Sequence, residues 1–556
     1  MKLKLFIIYL LLSSDIYSNN IKEIYSPIKY HKQKNVYENF KKNQVKKPIY
    51  TKLQPIKLSK NDKNENCVKI KKIELLGNTL LDKRKITPIL NKYQNRCDTL
   101  SEINNIVKKI NNLYIKKGYI TSQAYLKPQK LSSGILTIYV MEGKIEDVID
   151  KNVNSSLIVR GLKGNNFNLR EIELFIEQLN RLSSKKVTMD INPGKKEGYS
   201  TIILKGQDIS SPLKGYIGTD NYSYGNFKKY QINGALTWEN PLGIQDVLNV
   251  TLNVSNKYTK TNKSVGSGFS YGLPIYKSYI EFGYNIYKYI TQIEGLNKKY
   301  ISKSNTKSYF IKGEYKIFHT QHHNGKINVE FNHKKVDNYL DSILLDTTSY
   351  KINTIKLSYT HDIVYPKYTL TAMLGYEKSL SASFVNKKET KKEDLLFHKI
   401  LFSLNGKYKF TKEQYPITLT STLYGQYAPK NTIASEQIGI GGPYSVRGFK
   451  SAHQLSSNFG LYLRNELYKD FSINKKVSIT PYLGLDLGWA KKNKFSNGGK
   501  IMGATIGSRF NIYGLNIDIF ASKAIKDSSR VRYLKNGDKE VRPLDKFLGI
   551  NISYRF

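Results

Sequence analysis

The feature that most limits how this chain can fold is a long C-terminal tract, residues 214–556, in which apolar and polar residues alternate. One segment is typical: Leu248, Val250, Leu252 and Val254 alternate with Asn249, Thr251 and Asn253. A period of two residues indicates a β-strand with one apolar and one polar face. Segments of about ten residues recur about sixteen times, an even number as bacterial barrels require. The tract therefore predicts an outer-membrane β-barrel of about sixteen antiparallel strands.

A soluble β-sandwich would show the same alternation. The length of the tract, the aromatic residues at segment ends and a last segment that stops on Phe556 favour the barrel. A Tyr ring at a strand end suits the half-wet head-group region of a membrane. A barrel also satisfies its last strand by pairing it with its first, which we expect near residues 214–222.

Composition and charge exclude some classes of protein. The longest wholly apolar run is Leu5–Leu12, so the chain contains no helix of about 20 apolar residues and is not an α-helical membrane protein. The formal net charge is +45, which suggests a nucleic-acid partner. The basic residues are spread along the whole chain rather than striped, so we predict no nucleic-acid binding. Lys residues at barrel rims could instead meet the phosphates of outer-membrane lipid and lipopolysaccharide.

The N-terminal residues 1–18 combine a basic start, a short apolar core and a small residue near position 18, which predicts a secretory signal peptide. Residues 19–66 are rich in Lys and Asn and read as a linker, with a weak helical pattern at 35–43. Cys67 and Cys97 are the two cysteines of the chain, and an oxidising compartment predicts a disulfide between them, two reduced buried thiols being the alternative.

Two small α+β modules, at 67–142 and 143–208, precede the barrel tract at 209–556. The first module predicts five elements in the order β-α-α-β-β: 68–78, 85–92, a helix capped by Thr99 and Glu102 and ended by Gly118, 119–126 and 134–140. The second repeats the pattern in reduced form: 144–150, a helix capped by Asn168 and Glu171, 187–191 and 199–204. Neither module offers a catalytic cluster.

In a Gly-rich stretch at 441–450, one cation, Arg447, stands between Val446 and Gly448. The later segment 477–489 alternates strictly, and Asp486 falls on its polar face. An Arg in a loop and an Asp on an inward strand face could form a bidentate ion pair. The alternative is a solvent-exposed loop charge of almost no energetic value. In a wet barrel lumen we expect the pair to be screened, so that its value is mainly positional.

Together these features resemble the haemolysin secretion/activation proteins, the transporter partners of two-partner (type V) secretion in the Omp85 superfamily. The resemblance covers nearly the whole chain, and its most specific motif is Val446-Arg447-Gly448-Phe449. The two modules resemble polypeptide-transport-associated (POTRA) domains. Their matching motifs are Gly118 to Ser122, Tyr125-Leu126 and Gly134 in the first, and Asn168 to Leu182, Pro193-Gly194 and Gly198 to Ser200 in the second.

The resemblance implies that a late loop, here 430–456, folds back into the barrel and that Arg447 meets Asp486. The loop motif of the family falls on Gly441, Gly442, Val446, Gly448 and Phe449, and the strand motif includes Gly488. Gly484 and Leu485 depart from the family pattern, which commonly has larger residues there. In relatives the N-terminal segment can form a barrel plug; the Lys/Asn-rich residues 19–66 leave that open. Phe556 stands at the position of a C-terminal insertion signal, read by the barrel assembly machinery.

The function implied is an outer-membrane pore that recognises and translocates a large secreted client with its own N-terminal secretion domain, of haemolysin, adhesin or contact-dependent toxin type. The POTRA modules would lie in the periplasm of a Gram-negative-type cell and capture the client by β-augmentation, inert spacers being the alternative. We expect a monomer with no enzymatic activity, no cofactor and no metal; His322-His323 reads as a solvated turn. An Omp85-type assembly factor, which usually carries more POTRA modules, and a passive porin, which lacks them, are the other readings.

Overall fold

The structure is a computed structural model. It describes residue 34 and residues 51–58, 67–222, 230–255, 261–294, 298–384, 395–410, 416–430, 432–450, 453–474, 476–493, 498–533 and 539–556. The expected signal peptide at 1–18 and the weak helical pattern at 35–43 lie outside these residues. Within them, no helix is both long enough and apolar enough to cross a membrane.

The first module contains five strands and two helices: β1 (Cys67–Ile70), β2 (Lys72–Leu76), α1 (Lys83–Asn91), β3 (Arg96–Thr99), α2 (Leu100–Lys116), β4 (Gln123–Tyr125) and β5 (Ile135–Met141). Strand β2 runs parallel to β5, which pairs antiparallel with β4. The capping box of α2 is present, because Thr99 accepts from the Glu102 N–H at 3.2 Å and Glu102 accepts from the Thr99 N–H at 2.9 Å. The buried face of α2 packs on the module core through Ile106, Ile110 and Tyr114.

One expectation for this module is wrong in detail. The sequence predicts a single strand at 68–78, whereas the structure has β1 and β2 in two different sheets, with β1 paired to the unexpected strand β3. The chain changes partner at Lys71, whose N–H donates to the Gly134 carbonyl at 2.7 Å. An apolar pattern shows which residues are buried, but not which neighbour they pair with.

The second module contains β6 (Lys144–Lys151), α3 (Ser156–Val159), α4 (Leu169–Leu179), β7 (Lys185–Pro193) and β8 (Tyr199–Asp208). Its sheet has the order β6-β8-β7, with β6 parallel and β7 antiparallel to β8. Asn168 caps α4, since its side chain accepts from the Arg170 N–H at 2.9 Å. The apolar face of α4 packs on the sheet through Ile172, Phe175 and Leu179.

The C-terminal tract forms a closed antiparallel barrel of sixteen full strands within the described residues. They are β9 (Leu213–Asp220), β10 (Gln231–Glu239), β11 (Val247–Ser255), β12 (Lys263–Ile275), β13 (Ser278–Glu294), β14 (Lys299–His319), β15 (His323–Leu340), β17 (Tyr350–Val364), β18 (Tyr368–Phe384), β19 (His398–Lys409), β20 (Ile417–Tyr427), β23 (Phe459–Lys469), β25 (Val477–Ala490), β26 (Gly499–Ile512), β27 (Leu515–Asp527) and β30 (Lys546–Arg555). Shorter strands lie at the rims or in loops: β16 (Ile343–Leu344), β21 (Ile438–Ile440), β22 (Leu455–Ser457), β24 (Phe471–Asn474), β28 (Val531–Tyr533) and β29 (Lys539–Val541).

The barrel closes where the sequence predicts. Strand β30 pairs with β9, Asn551 opposite Asp220 and Arg555 opposite Tyr216. Phe556 extends this seam, because its N–H donates to the Gly215 carbonyl at 3.1 Å, and its side chain is exposed. The outward faces of the strands are apolar, as at Leu483 and Leu487, while the inward faces are polar. A lipid environment is what such an outer surface requires.

The two cysteines form a disulfide between β1 and β3, Cys67 to Cys97. Closing a loop with a sequence separation of 30 removes entropy from the unfolded chain and stabilises the module by about 3–4 kcal/mol. We therefore expect reduction to speed amide exchange in β1 and β3 of the full-length protein by roughly 100- to 1,000-fold. Hydrogen exchange with and without reductant measures this. A Cys67→Ser, Cys97→Ser variant should exchange as fast as the reduced protein, and equal protection before and after reduction would contradict the prediction.

Candidate functional site

The connection between β20 and β23 runs from 428 to 458, slightly longer than the expected 430–456. Its described residues, 428–430, 432–450 and 453–458, turn back into the barrel interior. Its two limbs pair as the short hairpin of β21 and β22, with Ile440 opposite Leu455. Val446 and Phe449 are almost fully buried, and they pack with Ile440 against the inner wall. The loop therefore has its own apolar contact with the barrel and lies inside the lumen.

The tip of this loop is shaped by its glycines. Gly441 and Gly442 have φ of +114° and +107°, a region that favours glycine. The Gly441 N–H donates to the Ser445 side chain at 2.8 Å, and the Gly442 N–H donates to the Val446 carbonyl at 3.0 Å. Gly448 also has positive φ, and it lies against the backbone of Lys523 on β27. This tight turn directs Val446 and Arg447 towards the wall.

The structure places Arg447 against Asp486 of β25. The guanidinium donates through Nε to Oδ2 at 2.7 Å and through Nη2 to Oδ1 at 2.8 Å, and the Arg447 N–H donates to Oδ2 at 3.0 Å. The two side chains are 1% and 0% exposed. The expectation of a pair screened by lumen water is therefore wrong, because both groups have lost their solvent. A buried pair of this kind is costly to break by removing one member.

Sequence reasoning missed two further acceptors for Arg447. Glu466 accepts from Nη1 at 3.1 Å, and the Asn465 carbonyl accepts from Nη2 at 2.8 Å. Glu466 also pairs with Arg509 of β26. Glu466 lies on the inward face of the first strand after the loop, so the alternation that identified Asp486 could also have found it.

The wall is shaped to admit this side chain. A Cβ added at Gly484 would lie 2.2 Å from Nη2 of Arg447, and one at Gly503 would lie 1.7 Å from the Arg447 carbonyl oxygen. Gly484 is one of the two residues at which the chain departs from the expected strand motif, and the space for the guanidinium gives a physical reason for the departure there. Gly488, expected from the same motif, lies where a Cβ would be 2.5 Å from Ile440 of the loop.

Polar contacts also hold the two ends of the loop. Glu436, in a 3₁₀ turn at Ala434–Glu436, accepts from Lys334 at 2.6 Å and from Lys399 at 2.9 Å. These lysines lie on β15 and β19, at a different part of the wall from Asp486. At the other end, His453 Nδ1 lies 2.6 Å from Asp545 Oδ2. The loop is thus attached to the barrel through Glu436, Arg447 and His453.

A cavity of about 480 Å³ remains in the lumen beside the loop tip. Tyr444 of the loop forms part of its lining, together with Arg464, Arg509 and Asp220 of the wall. Lys34, from the N-terminal linker, also lines it and donates to the side chain of Asn233 on β10. One residue of the linker therefore lies inside the barrel.

Comparison with known proteins identifies the family. Residues 198–510, more than half of the chain, match the family described as haemolysin secretion/activation protein ShlB/FhaC/HecB. The chain belongs to this family. Residues 68–143 match the ShlB-type POTRA domain and residues 144–193 match a POTRA domain. The resemblance predicted from the sequence is confirmed, and the two modules are called POTRA 1 and POTRA 2 below.

Individual relatives agree with this assignment. Hemolysin transporter protein HpmB of Proteus mirabilis is 29% identical over 440 residues, 77% of this chain and 77% of HpmB. Outer membrane transporter CdiB of Escherichia coli is 28% identical over 457 residues, 79% of this chain and 76% of CdiB. The solved structure of CdiB from Escherichia coli has a TM-score of 0.82 at 23% identity, covering 95% of this chain and 98% of that one, and shares the fold. This haemolysin secretion/activation protein lies in the outer membrane, with its POTRA domains in the periplasm.

POTRA 2 is fixed to the periplasmic turns of the barrel through α4. Glu177 accepts from Lys316 at 3.0 Å and lies 3.1 Å from Nδ1 of His319, at the end of β14. One end of the same helix bears Glu171, which accepts from Lys277 at 2.6 Å. Beyond the other end, the Arg181 guanidinium lies 3.9 Å from the centre of the Tyr279 ring. These contacts set the position of POTRA 2 beneath the barrel.

The expected solvated turn at His322-His323 lies at the junction of β14 and β15, where the His322 ring stacks on Tyr365 with centroids 4.1 Å apart. Among the described residues, no group of three or more His, Cys, Asp and Glu side chains could hold a metal ion.

The contact of POTRA 2 with the barrel is expected to weaken in acid. Burial raises the pKa of Glu177, but the hydrogen bond with His319 and the charge of Lys316 outweigh it and lower the pKa from 4.5 to about 2. A lowered pKa stabilises the docked state above pH 4.5, and this contribution is lost as the pH falls from 4.5 towards 2. Its full size is on the order of 3 kcal/mol.

Pulsed EPR distances between a label on POTRA 2 and one on a barrel turn measure this docking. Glu177→Gln should broaden the distance distribution at neutral pH and remove its change between pH 4.5 and 2. Glu197→Gln, at an exposed position of POTRA 2, is the matched control and should behave as the wild type. If the acid transition persists in Glu177→Gln, groups other than Glu177 cause it.

Proposed function

We propose that this protein exports one large secreted partner from the periplasm to the cell surface, as the outer-membrane component of a two-partner system. The observation that carries the proposal is the combination of two POTRA domains with a barrel whose lumen holds a loop attached through Arg447. A passive porin has no use for either feature. The names of HpmB and CdiB describe transporters, which supports the same reading.

The attachment of Arg447 to Asp486 and Glu466 is the device that keeps the loop in one place. An unattached loop would sample many positions in the lumen, and the width of the path for an extended client would vary with them. With the loop attached, the path for the client has one fixed width. The groups of the site satisfy one another by hydrogen bonds and charge, and the protein acts as a pore rather than as an enzyme, without a metal or cofactor. Folding of the client outside the cell makes export one-way.

The POTRA domains are the receptors for the client. Strands β6 and β7 are the outer strands of the POTRA 2 sheet, each paired within that sheet only to β8. On their outer edges Ile145 of β6 already bonds residues 164 and 165, and Val187 of β7 already bonds the Asn180 side chain. The rest of these two edges offers backbone N–H and C=O groups to an extended chain, as β-augmentation requires. The client is a large protein of haemolysin, adhesin or contact-dependent toxin type that carries its own N-terminal secretion domain.

The remaining partners belong to the membrane. The outward apolar face of the barrel meets lipid, and Lys residues near its rims meet the phosphates of lipopolysaccharide. Phe556, at the closing seam with Gly215, is the C-terminal signal read by the barrel assembly machinery during insertion. The pore works as a monomer.

Deleting the gene and comparing the proteins of the growth medium tests this function. One or a few large proteins should disappear from the medium, and the outer-membrane profile should otherwise be unchanged. Restoring the gene should restore them. Loss of many outer-membrane proteins would favour an assembly factor, and an unchanged medium would refute export.

A further inference from the structure

A short segment of the N-terminal linker, residues 51–58, lies across the junction between POTRA 1 and POTRA 2; we call it the strap. At one end, the Ile56 N–H donates to Oδ1 of Asn112 on α2 at 2.7 Å, and Nδ2 of Asn112 donates to the Ile56 carbonyl at 3.0 Å. One side-chain amide thus binds both polar groups of one backbone residue, as a neighbouring β-strand would.

The other end of the strap is bound in the same manner by POTRA 2. The Thr51 N–H donates to Oε1 of Glu173 at 2.6 Å, and Nη1 of Arg170 donates to the Thr51 carbonyl at 3.1 Å. Arg170 and Glu173 are themselves paired at 2.7 Å, and the Glu173 side chain is 1% exposed. A charge pair with a buried carboxylate therefore binds a peptide group rather than a side chain.

The two binding points belong to one continuous surface. The Leu169 N–H of POTRA 2 donates to the Gly118 carbonyl of POTRA 1 at 2.8 Å, and the Asn168 side chain donates to the Lys117 carbonyl at 3.2 Å. The end of α2 thus meets the start of α4. Between the binding points, Leu53 packs against the hydrophobic core of POTRA 2.

The character of these contacts identifies what the surface recognises. Four hydrogen bonds go to the backbone of the strap, and Leu53 contributes the one half-buried side chain, while the other strap residues are exposed. Because the contacts are backbone hydrogen bonds and one apolar side chain, they require little of the sequence of the bound segment. A receptor for an unfolded polypeptide needs that property.

We propose that the strap is a built-in occupant of a polypeptide-binding groove, formed by Asn112 of POTRA 1 with Arg170 and Glu173 of POTRA 2, and that an extended segment of the secreted client takes its place. This inference rests on the proposed export function for the nature of the partner. A tethered strap competes at an effective concentration of order millimolar, so the groove is closed at rest. A client that also binds elsewhere on the POTRA domains displaces it.

The test uses the purified full-length protein in detergent and a fluorescent peptide with the sequence of residues 51–58. Ile56→Pro removes the N–H that donates to Asn112, and Leu53→Asp removes the apolar anchor; together they loosen the strap and leave the groove intact. The peptide should bind this loosened variant at least about tenfold more tightly than the wild type, by fluorescence anisotropy. A peptide with Asp in place of its Leu should bind weakly to both.

Two further variants make the result specific. Asn112→Ala in the loosened protein should abolish peptide binding, whereas Asn104→Ala, at an exposed position on the same helix, should not change it. Equal binding to wild type and loosened variant, or binding that survives Asn112→Ala, would overturn the proposal. Because no client enters this assay, its failure is distinct from a failure of export in the gene deletion.

Discussion

Replacing Arg447 or Asp486 by alanine is expected to reduce release of the secreted client at least about tenfold while the barrel stays in the outer membrane. Each substitution leaves the other charge buried without its main partner, at a cost of about 3–5 kcal/mol against the seated loop. A tenfold change in an equilibrium corresponds to about 1.4 kcal/mol, so the ratio of seated to unseated loop should fall by at least about 100-fold. Two measurements test this: the amount of client released into the medium, and the amount of heat-modifiable barrel in membrane fractions.

The hydrogen bonds around Arg447 and Asp486 predict the order of the export defects among the variants. In Asp486→Ala, Arg447 keeps Glu466 at 3.1 Å and the Asn465 carbonyl at 2.8 Å, so part of its attachment survives. In Arg447→Ala every side-chain contact is lost and only the backbone N–H of residue 447 still donates to Asp486, so the defect should be larger. The export defect of Arg447→Lys should lie between those of the two alanine variants, because an ammonium cannot form the bidentate contact. Lys450→Ala, an exposed position in the same loop, is the control and should export normally. Normal export by both alanine variants at Arg447 and Asp486 would contradict the role of the pair.

Replacing Gly503 by alanine is expected to unseat the loop without removing any charge. The added Cβ would lie 1.7 Å from the Arg447 carbonyl oxygen, so the backbone of the loop must move away from β26. Overpacking of this kind costs about 1–3 kcal/mol, and we expect a several-fold loss of client release. Gly313→Ala, where a Cβ would meet nothing within 4 Å, is the matched control in another strand of the barrel.

Gly484 offers a sharper version of the same experiment. A Cβ there would meet the guanidinium of Arg447, 2.2 Å from Nη2, rather than the backbone. Gly484→Ala should therefore reduce export in the wild-type chain but add nothing once Arg447 has been replaced by alanine. Such non-additivity is expected of residues in direct contact. Additive losses would show that Gly484 acts on the barrel rather than on the loop.

The sequence was informative wherever a period repeats over many residues. Alternation predicted the barrel and its seam, and it put Asp486 on the inward face of its strand. Helical spacing with a capping box gave α2. Each of these is a local pattern that burial of one face imposes directly on the chain.

What local patterns could not supply was the choice of partners over long distances. The division of residues 68–78 between two sheets depends on where Gly134 lies in space. The contact of Glu436 with Lys334 and Lys399 depends on how far the loop reaches across the lumen. The burial of Arg447 depends on Val446, Phe449 and the wall closing around it, and no segment of sequence shows this.

If the inserted loop governs the pore, single-channel conductance in planar bilayers should depend on how the loop is attached. The Ala428 N–H donates to the Asn458 carbonyl at 3.1 Å, so the ends of the loop are adjacent and a short Gly-Ser linker can replace residues 432–456. We expect low, fluctuating conductance for the wild type, more frequent opening for Arg447→Ala, and a wide, steadily open pore without the loop. The same conductance in all three proteins would contradict it.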